Sequence, residues 1–534
     1  MPRSHPVAPD LVVLARRIHL LGDHPPVAAL LVRGGRVVAA GTEAEVRAAA
    51  LPGARVESLG EATVTPGLTD AHVHLTTWAL ARRRVDLNGA RTAEEAVERV
   101  RAAVSPGGAQ AQGEWVLGQG WDMNRWGVFP TREMLDAVVP GRPAFLESHD
   151  IHAAWLNTEA LRRLGIDRGT PDPEGGTIVR DGAGEATGVL LENAKWLAAP
   201  LLPEPTAAEK RAALLDAQRE VHRLGITGVH SVEFAGLEDF GALEQDGLLR
   251  LRVLQAVQLD RLDAAIRVGL RSGLGSEWLR IGGVKMFLDG ALGSRTAWLR
   301  EPYIGSESDR GIETLLLAEF REAVWRAAEA GIASTVHAIG DAAVERALEV
   351  LSSAPGVPAM PHRIEHLQLC PPELWERAGR SGIVASMQPV HLLTDIPAAE
   401  RHWGHERSRG AYAFAPLLRA GMTLAFGSDV PVETVDPRPG LFAATKRITW
   451  EGEPAGEWYP EHRLTAEEAL RGYTEGPAVA AGEEGKRGRL LPGYDADLAA
   501  WDVDPLAASP EELRGMRCLL TAVGGEVMFR EGGG

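Results

Sequence analysis

Short apolar runs alternate with amphipathic stretches over the second half of the chain. Six of these runs are LRVLQAV, IGGVKMFL, IASTVHAI, HRIEHLQL, IVASMQPV and TLAFGSDV. Strand-like runs separated by segments with helical periodicity predict βα units and an α/β fold with a parallel sheet. Two earlier runs, at residues 64–74 and 225–232, bring the predicted strands to eight, which is the number that closes a TIM (β/α)8 barrel.

Capping signals mark where several of the helices should begin. A Thr followed three residues later by Glu has the spacing of a capping box, in which each side chain bonds the other residue's backbone N–H. Three pairs have this spacing: Thr92 with Glu95, Thr206 with Glu209, and Thr465 with Glu468.

The two ends of the chain have a different pattern of short β runs with turn residues. ALLVRGGRVVAAG predicts a hairpin that turns at Gly34 and Gly35. Residues 485–534 contain LLTAVGGEVMFREG and similar runs. Neither end has enough strands to bury a face by itself, so we expect residues 1–63 and 485–534 to form one small β-sandwich domain. The barrel then occupies residues 64–484.

A long gap follows the first barrel strand. About 150 residues separate it from the next buried-strand signal, far more than an ordinary loop contains. The gap predicts a large insertion, an additional subdomain at about residues 80–205. It carries GQGWDMNRW and HDIHAAWLNTEAL, whose tryptophans could line an apolar pocket or simply form a core.

Composition narrows the class of protein. The chain has 534 residues, 45% of them apolar, which is ample for a large core. Its formal charge of −17, with 73 acidic against 56 basic residues, argues against a nucleic-acid or anionic-membrane surface. Only two cysteines occur, too few for a disulfide framework. With no signal-peptide pattern and no apolar stretch of about twenty residues, a cytoplasmic location is expected.

Six ionisable side chains lie at the ends of these strand-like runs. The two in AHVHL are separated by one residue, so both should point to the same side of a strand. Each alone has an ordinary explanation, such as a solvent-facing lysine or a helix-capping aspartate. Because the carboxyl ends of barrel strands meet on one face, their joint occurrence predicts a metal site there. The six are His72, His74, Lys285, His337, His366 and Asp429.

Longer motifs around these residues resemble the amidohydrolase superfamily, and more narrowly its amidohydrolase-3 branch of N-substituted formamide deformylase-like enzymes. The matching segments are TPGLTDAHVHL, VKMFLDGALGSRTAWLREPY, TVHAIGDAAV, RIEHLQL, SMQPVH, GSDVPVETVDP and GRLLPGYDADLAAWD. They run from near residue 64 to near residue 503, which is almost the whole chain.

The resemblance implies a centre of one or two metal ions. A lysine with a lowered pKa can take up carbon dioxide as a carbamate, which supplies two bridging oxygens. Without that carboxylation, a single ion becomes the expectation. Zinc is the metal expected, although manganese, iron, cobalt or nickel suit the same ligands. The implied set is His72, His74 and Asp429 on the first ion, His337 and His366 on the second, and N-carboxylated Lys285 bridging them.

The same resemblance gives Asp429 a catalytic role. It would accept a proton from the attacking water and return it to the leaving nitrogen. Substrate contacts are proposed less directly, at Trp121, Asp122 and His152 of the insertion and at Arg295.

Two of the matching residues have competing interpretations. Arg295 could bind a substrate carboxylate or instead form a structural ion pair with Asp289. Glu365 alternates with His366 along a strand, so it is predicted to point away from the metal site and to have a structural role.

Three classes of function remain open from the sequence. The first is a metal-dependent hydrolase that cleaves the C–N bond of a small N-substituted amide or formamide. The second is an ester or lactone hydrolase, or a deaminase, on the same site. The third, a non-catalytic metal-binding or regulatory protein, is disfavoured because every predicted ligand position is filled. The expected partner is a small-molecule substrate, and self-association into a homo-oligomer is common in the family.

Overall fold

The computed structural model describes residues 9–532, apart from 109, 149–152, 174–175, 234–235, 451, 453 and 455. The chain divides into two compact units. One consists of Met1–Leu75 with Leu215–Gly534, and the other of Thr76–Leu214.

Eight strands of the larger unit pair in parallel and in chain order. The first and last lie side by side, because Val73 bridges to Val430 and the Asp429 N–H donates to the His72 carbonyl at 2.7 Å. The sheet is therefore a nearly closed parallel barrel, and all eight predicted strands are present. They are Leu68–Val73, Ile226–Ser231, Arg252–Gln258, Leu279–Phe287, Ser334–Ala338, Arg363–His366, Val384–Met387 and Thr423–Phe426.

Helices connect the barrel strands and bury one apolar stripe each. In Leu317–Glu329, for example, Phe320, Val324 and Ala327 are buried at helical spacing. Among the described residues, no helix combines the length and apolar character needed to cross a membrane. The other helices from residue 207 to 480 are Ala207–Arg223, Leu237–Gln245, Leu262–Arg267, Asp341–Ser353, Trp375–Arg380, Leu392–His402, His405–Ser408, Phe414–Arg419, Pro437–Lys446, Ala466–Gly472 and Glu475–Ala480, with short 3-10 turns at Leu259–Arg261, Pro372–Leu374, Pro389–His391 and Pro460–His462.

The predicted capping boxes form at Thr206 and Thr465, where both reciprocal hydrogen bonds are present. At Thr92 the hydroxyl accepts from the Glu95 N–H, but the Glu95 carboxylate accepts from the Arg91 N–H. This third site is therefore an N-cap without the reciprocal bond.

The apolar run at residues 64–74, predicted as one strand, is divided at Gly67. Thr63–Pro66 pairs with Leu498–Trp501, whereas Leu68–Val73 begins the barrel. A Cβ on Gly67 would lie 2.3 Å from Thr227 Cγ2, so only glycine allows this close approach.

Strands from both ends of the chain form one mixed eight-stranded sheet. Gly34 and Gly35, with φ of 58° and 80°, make the predicted hairpin turn. Alternate residues bury opposite faces: Val13 packs in one apolar cluster, and Val12 packs with Val46 of the helix Glu43–Ala49 in another. The described strands are hydrogen-bonded in one sheet, and the β-sandwich stays a prediction. The helix Pro510–Gly515 lies between the sixth and seventh of these strands in sequence. The strands are Leu11–Ile18, Val27–Arg33, Arg36–Gly41, Arg55–Ser58, Thr63–Pro66, Leu498–Trp501, Cys518–Val523 and Glu526–Arg530.

The smaller unit has a six-stranded mixed sheet with its own apolar core. Tryptophans contribute much of that core: Trp121 stacks on Trp126 with ring centroids 6.0 Å apart, and Trp155 meets both edge-on. Its strands are Val85–Asp86, Val116–Trp121, Ala144–Ser148, Ala153–Leu156, Gly176–Arg180 and Ala186–Glu192, and its helices are Ala93–Val104, Met123–Trp126, Arg132–Asp136, Thr158–Leu164 and the 3-10 segment Asn193–Leu201, with Leu75–Ala81 at its start.

Candidate metal centre

Three of the predicted ligands converge where the first and last barrel strands meet. His72 and His74 stand at the end of the first strand, and Asp429 follows the eighth. The Nε2 atoms of both histidines lie 3.2 Å from Asp429 Oδ1. Donors bound to one tetrahedral zinc at about 2.0–2.2 Å are roughly 3.4 Å apart. The three side chains are therefore spaced to share one cation.

Backbone contacts hold this corner together. Asp70 Oδ1 accepts hydrogen bonds from the His72 N–H at 3.1 Å and from the Ser428 N–H at 2.9 Å. Gly427 lets the two segments approach, since a Cβ there would lie 2.5 Å from the backbone nitrogen of His72. The position of Asp429 thus depends on contacts between residues more than 350 positions apart.

Glu365 contacts His72 directly, so the prediction that it points away from the site is wrong. Its carboxylate accepts from His72 Nδ1, accepts from Ser386 Oγ at 2.8 Å, and pairs with Arg363 Nε. Because an ionised carboxylate only accepts, the neutral His72 ring carries its proton on Nδ1 and presents the Nε2 lone pair toward Asp429, where a cation could bind. Alternation fails here because His366 has a φ of 69°, which turns its side chain out of the strand pattern.

His366 and His337 lie next to this first group. The His366 ring is 5.0 Å from the His72 ring and 4.5 Å from the His337 ring, measured between centroids. His337 Nε2 donates to the Gly290 carbonyl at 3.0 Å, since a carbonyl oxygen can only accept. The unprotonated Nδ1 of His337 is then available as a ligand atom.

Lys285 is 2% exposed, on the fourth barrel strand. Its ammonium lies 4.7 Å from the centre of the Phe287 ring, and no carboxylate of the described residues is within ion-pair distance of it. Burial lowers the pKa of Lys285 to about 8. A larger fraction of the amine is therefore neutral than in a solvent-exposed lysine.

The protonation states suit cation binding. Burial acts to raise the pKa of Asp429, but the neighbouring His72 holds it well below its usual value. Burial lowers the pKa of His337 to about 3 and that of His366 well below its usual value. His72 differs, because Asp429 and Glu365 raise its pKa against the effect of burial. An ionised carboxylate among mostly neutral imidazoles is a set that binds divalent metals.

One histidine near the centre, His391, was missed by the strand-end interpretation. It lies in the turn Pro389–His391 after the seventh strand, and its Nε2 is 3.8 Å from Asp429 Oδ2. Its ring centroid is 6.2 Å from that of His366. The signal was present, because SMQPVH continues a predicted strand in the same way as the segments that gave the other ligands.

Two of these nitrogens are buried without a partner. His366 Nδ1 and His391 Nε2 make no hydrogen bond within the described part of the chain. Buried polar atoms are almost always bonded. These two histidines also form a group with Asp429 in which one ligand atom of each lies within 4.8 Å of the others, which suits a metal ion. Imidazole nitrogens and a carboxylate are also the donors that divalent transition metals prefer. The residues present therefore fit a metal centre.

The chain is similar to known proteins over most of its length. The model of the Amidohydrolase family matches residues 55–529. The chain belongs to the amidohydrolase family. The resemblance that the strand-end motifs indicated is thereby confirmed.

Relatives agree along nearly the full length of this amidohydrolase. YtcJ of Bacillus subtilis, which carries the name of an amidohydrolase, is 32% identical over 480 residues, covering 89% of this chain and 90% of its own. The N-substituted formamide deformylase of Arthrobacter pascens is 30% identical over 509 residues, covering 88% and 89%. The crystal structure of an uncharacterized metal-dependent hydrolase from Pyrococcus horikoshii superposes with a TM-score of 0.80 at 29% identity, covering 94% of this chain and 99% of that one. The protein is a metal-dependent hydrolase of the amidohydrolase family.

The substrate contacts suggested by the insertion remain predictions. Trp121 is 1% exposed, and its indole N–H donates to the Leu146 carbonyl at 2.7 Å, so it packs in the core of the smaller unit. Asp122 follows at the end of the same strand. His152 lies outside the described residues.

Arg295 does not form the ion pair with Asp289 that was one of its two interpretations. It binds Asp309 instead, with Nη2 2.8 Å from Oδ2. Asp289 accepts from the backbone N–H groups of Trp298 and Gly340. A substrate contact by Arg295 remains a prediction for this amidohydrolase.

Proposed function

We propose that this amidohydrolase cleaves the C–N bond of a small N-substituted amide or formamide at a zinc centre of one or two ions. One observation carries the proposal: His72 and His74 approach the same Asp429 oxygen at 3.2 Å, on the face where barrel enzymes bind substrate. The substrate class is supported by the 30% identity to the N-substituted formamide deformylase over 509 residues.

The ligands follow from the positions described above. Lys285 is proposed to be N-carboxylated, because a buried ammonium without a carboxylate partner is costly and a carbamate would instead add two anionic oxygens to the centre. The proposed set is His72, His74 and Asp429 for one ion, His337 and His366 for the other, and carboxylated Lys285 between them.

When bound, a divalent cation supplies an activated water and polarises the substrate carbonyl. The remaining steps belong to the protein. Asp429 is ionised, so its carboxylate can accept the proton of the attacking water and then deliver it to the leaving nitrogen. Glu365 keeps the His72 ring in one tautomer and one orientation throughout.

Metal removal followed by product analysis tests this function. The purified protein would be stripped with a chelator, reloaded with zinc, and assayed on a panel of N-substituted formamides, simple amides, esters, lactones and amino-heterocycles. Restored release of an amine with formate or another carboxylate is expected. His72→Ala should lose metal and activity, whereas the exposed His405→Ala should lose neither.

The other outcomes identify the alternatives. Release of an alcohol or of ammonia would establish an ester hydrolase or a deaminase on the same site. A fully loaded protein that is inactive on the entire panel would indicate a non-catalytic metal-binding protein. For Lys285, a crystal structure with zinc would show either carbamate density or a plain lysine, and a plain lysine with one ion would establish the mononuclear form.

A further inference from the structure

We propose that His391 is a metal ligand, and that together with His366 and Asp429 it holds the second cation of the centre. The inference rests on the proposed zinc centre, but it adds a ligand from the seventh strand that the family resemblance did not supply. It also gives Asp429 a bridging role.

The two carboxylate oxygens of Asp429 face different histidines. His72 and His74 face Oδ1, whereas His391 Nε2 faces Oδ2 at 3.8 Å. One ligand atom from each of His366, His391 and Asp429 lies within 4.8 Å of the others. In two-metal sites the ions are about 3.5–4 Å apart, a separation that a bridging carboxylate can span.

One ring nitrogen of each of the two histidines His366 and His391 makes no hydrogen bond in the described structure. His391 Nε2 and His366 Nδ1 are buried and unpaired in the described part of the molecule, and the His391 side chain is only 12% exposed. The nearest acid on the following helix, Asp395, binds Tyr412 and Gln368 through Oδ2 and makes no hydrogen bond to His391 in the described structure.

A histidine with a structural role has a different environment in the same barrel. His362 is also buried, but its Nδ1 accepts from the Ser334 N–H and its Nε2 bonds the Pro355 carbonyl, both at 3.0 Å. Both of its nitrogens are satisfied by the protein. His391 differs, because its unpaired Nε2 lies 3.8 Å from Asp429 Oδ2, within a group of side chains spaced to hold a metal ion.

His391 follows the seventh barrel strand, between strands that already supply predicted ligands. His366 ends the sixth strand, His391 follows the seventh, Asp429 follows the eighth and His72 lies at the end of the first, and these four strands are consecutive neighbours around the barrel. With His391 included, each of the four adjacent strand ends supplies a donor to the centre.

Zinc binding to the full-length protein tests the inference, with Zn²⁺ alone as the probe. Stoichiometry would be measured by elemental analysis and affinity by competition with a chelator. We expect two zinc ions per chain in the wild type. His391→Ala should retain one and bind the other at least about 100-fold more weakly, because even the loss of a residue that only orients a metal ligand costs about 10–100-fold. His362→Ala, the matched control, should retain both ions even if it melts earlier.

Each contrary outcome has its own meaning. Two ions bound with unchanged affinity by His391→Ala would overturn the inference and leave the proposed function intact. A wild type that binds a single zinc, lost in His72→Ala but not in His391→Ala, would also overturn it while preserving a mononuclear enzyme. A wild type that binds no zinc would refute the metal centre itself.

A second measurement removes any dependence on the folding of the variants. Anomalous scattering at the zinc edge, from crystals of the wild-type protein, locates the ions directly. A peak in contact with His391 Nε2 supports the inference. A second peak bound by His337 and His366, with His391 out of contact, overturns it.

Discussion

Replacing Glu365 by glutamine tests whether this carboxylate holds the proposed metal ligand His72 in place, in addition to stabilising the fold. Glu365 is fully buried, accepts from His72 Nδ1 and pairs with Arg363. Glutamine keeps the size and one carbonyl acceptor but removes the charge. The substitution therefore weakens the hold on His72 and leaves the Arg363 cation, 4% exposed, without its counterion.

Two magnitudes follow from these contacts. Loss of the charged partner of a ligating histidine typically lowers metal affinity about 10–100-fold, or about 1.4–2.7 kcal/mol. Breaking a buried ion pair by removing one charge costs about 3–5 kcal/mol of folding stability. Folded proteins have about 5–15 kcal/mol in total, so the variant should still fold, with a lower melting temperature.

The control is a second buried ion pair that makes no contact with the proposed metal ligands. Asp497 bonds Arg252, with Arg252 Nη2 2.8 Å from Asp497 Oδ1, and contacts none of the site histidines. Asp497→Asn should lose comparable stability in urea unfolding but keep wild-type zinc affinity in chelator competition. If Glu365→Gln also kept wild-type affinity, the argument that Glu365 positions His72 would be refuted.

Three further substitutions test other parts of the structure. Gly427→Ala places a Cβ 2.5 Å from the backbone nitrogen of His72, so it should lower the free energy of unfolding by about 1–3 kcal/mol and weaken zinc binding. Gly241→Ala is the control and should do neither, because a Cβ there would meet no neighbouring atom within 4 Å; equal melting temperatures for Gly427→Ala and wild type would contradict the close approach. Asp429→Asn, assayed at saturating zinc, should reduce kcat about 10²–10⁴-fold with a smaller change in KM, and a near-native kcat would rule out proton transfer by this carboxylate. Asp504→Asn tests a charge contact between the two ends of the chain: burial acts to raise the pKa of Asp504, but its bond to His19 helps lower it from 3.8 to about 2. A carboxylate whose pKa is lowered by folding stabilises the fold fully above its unfolded pKa, and this stabilisation is lost as the pH falls toward 2. The variant should therefore be about 1–2 kcal/mol less stable to unfolding at pH 7 and less affected at pH 3. A loss of stability that does not depend on pH would argue against this ionic origin.

The sequence by itself determined the barrel and which side chains converge where its first and last strands meet. Strand and helix periodicity are local properties, and all eight barrel strands formed where the apolar runs predicted them. Because parallel strands present their carboxyl ends on one face, the position of a residue at a strand end is enough to predict that it approaches the others. His72, His74 and Asp429 meet for this reason.

Tertiary structure alone decided how individual side chains are used. The φ of 69° at His366 turns that residue's side chain out of the strand pattern, so both it and the preceding Glu365 lie beside His72. Strand alternation does not reveal such a turn. Arg295 pairs with Asp309 through the path of a loop rather than through any motif. The strand Thr63–Pro66 joins a sheet whose other members come from both ends of the chain, and Gly67, which lies close against Thr227, separates it from the barrel strand. The contact of Glu365 with His72 and the pairing of Thr63–Pro66 with Leu498–Trp501 join residues hundreds of positions apart, which local sequence patterns do not specify.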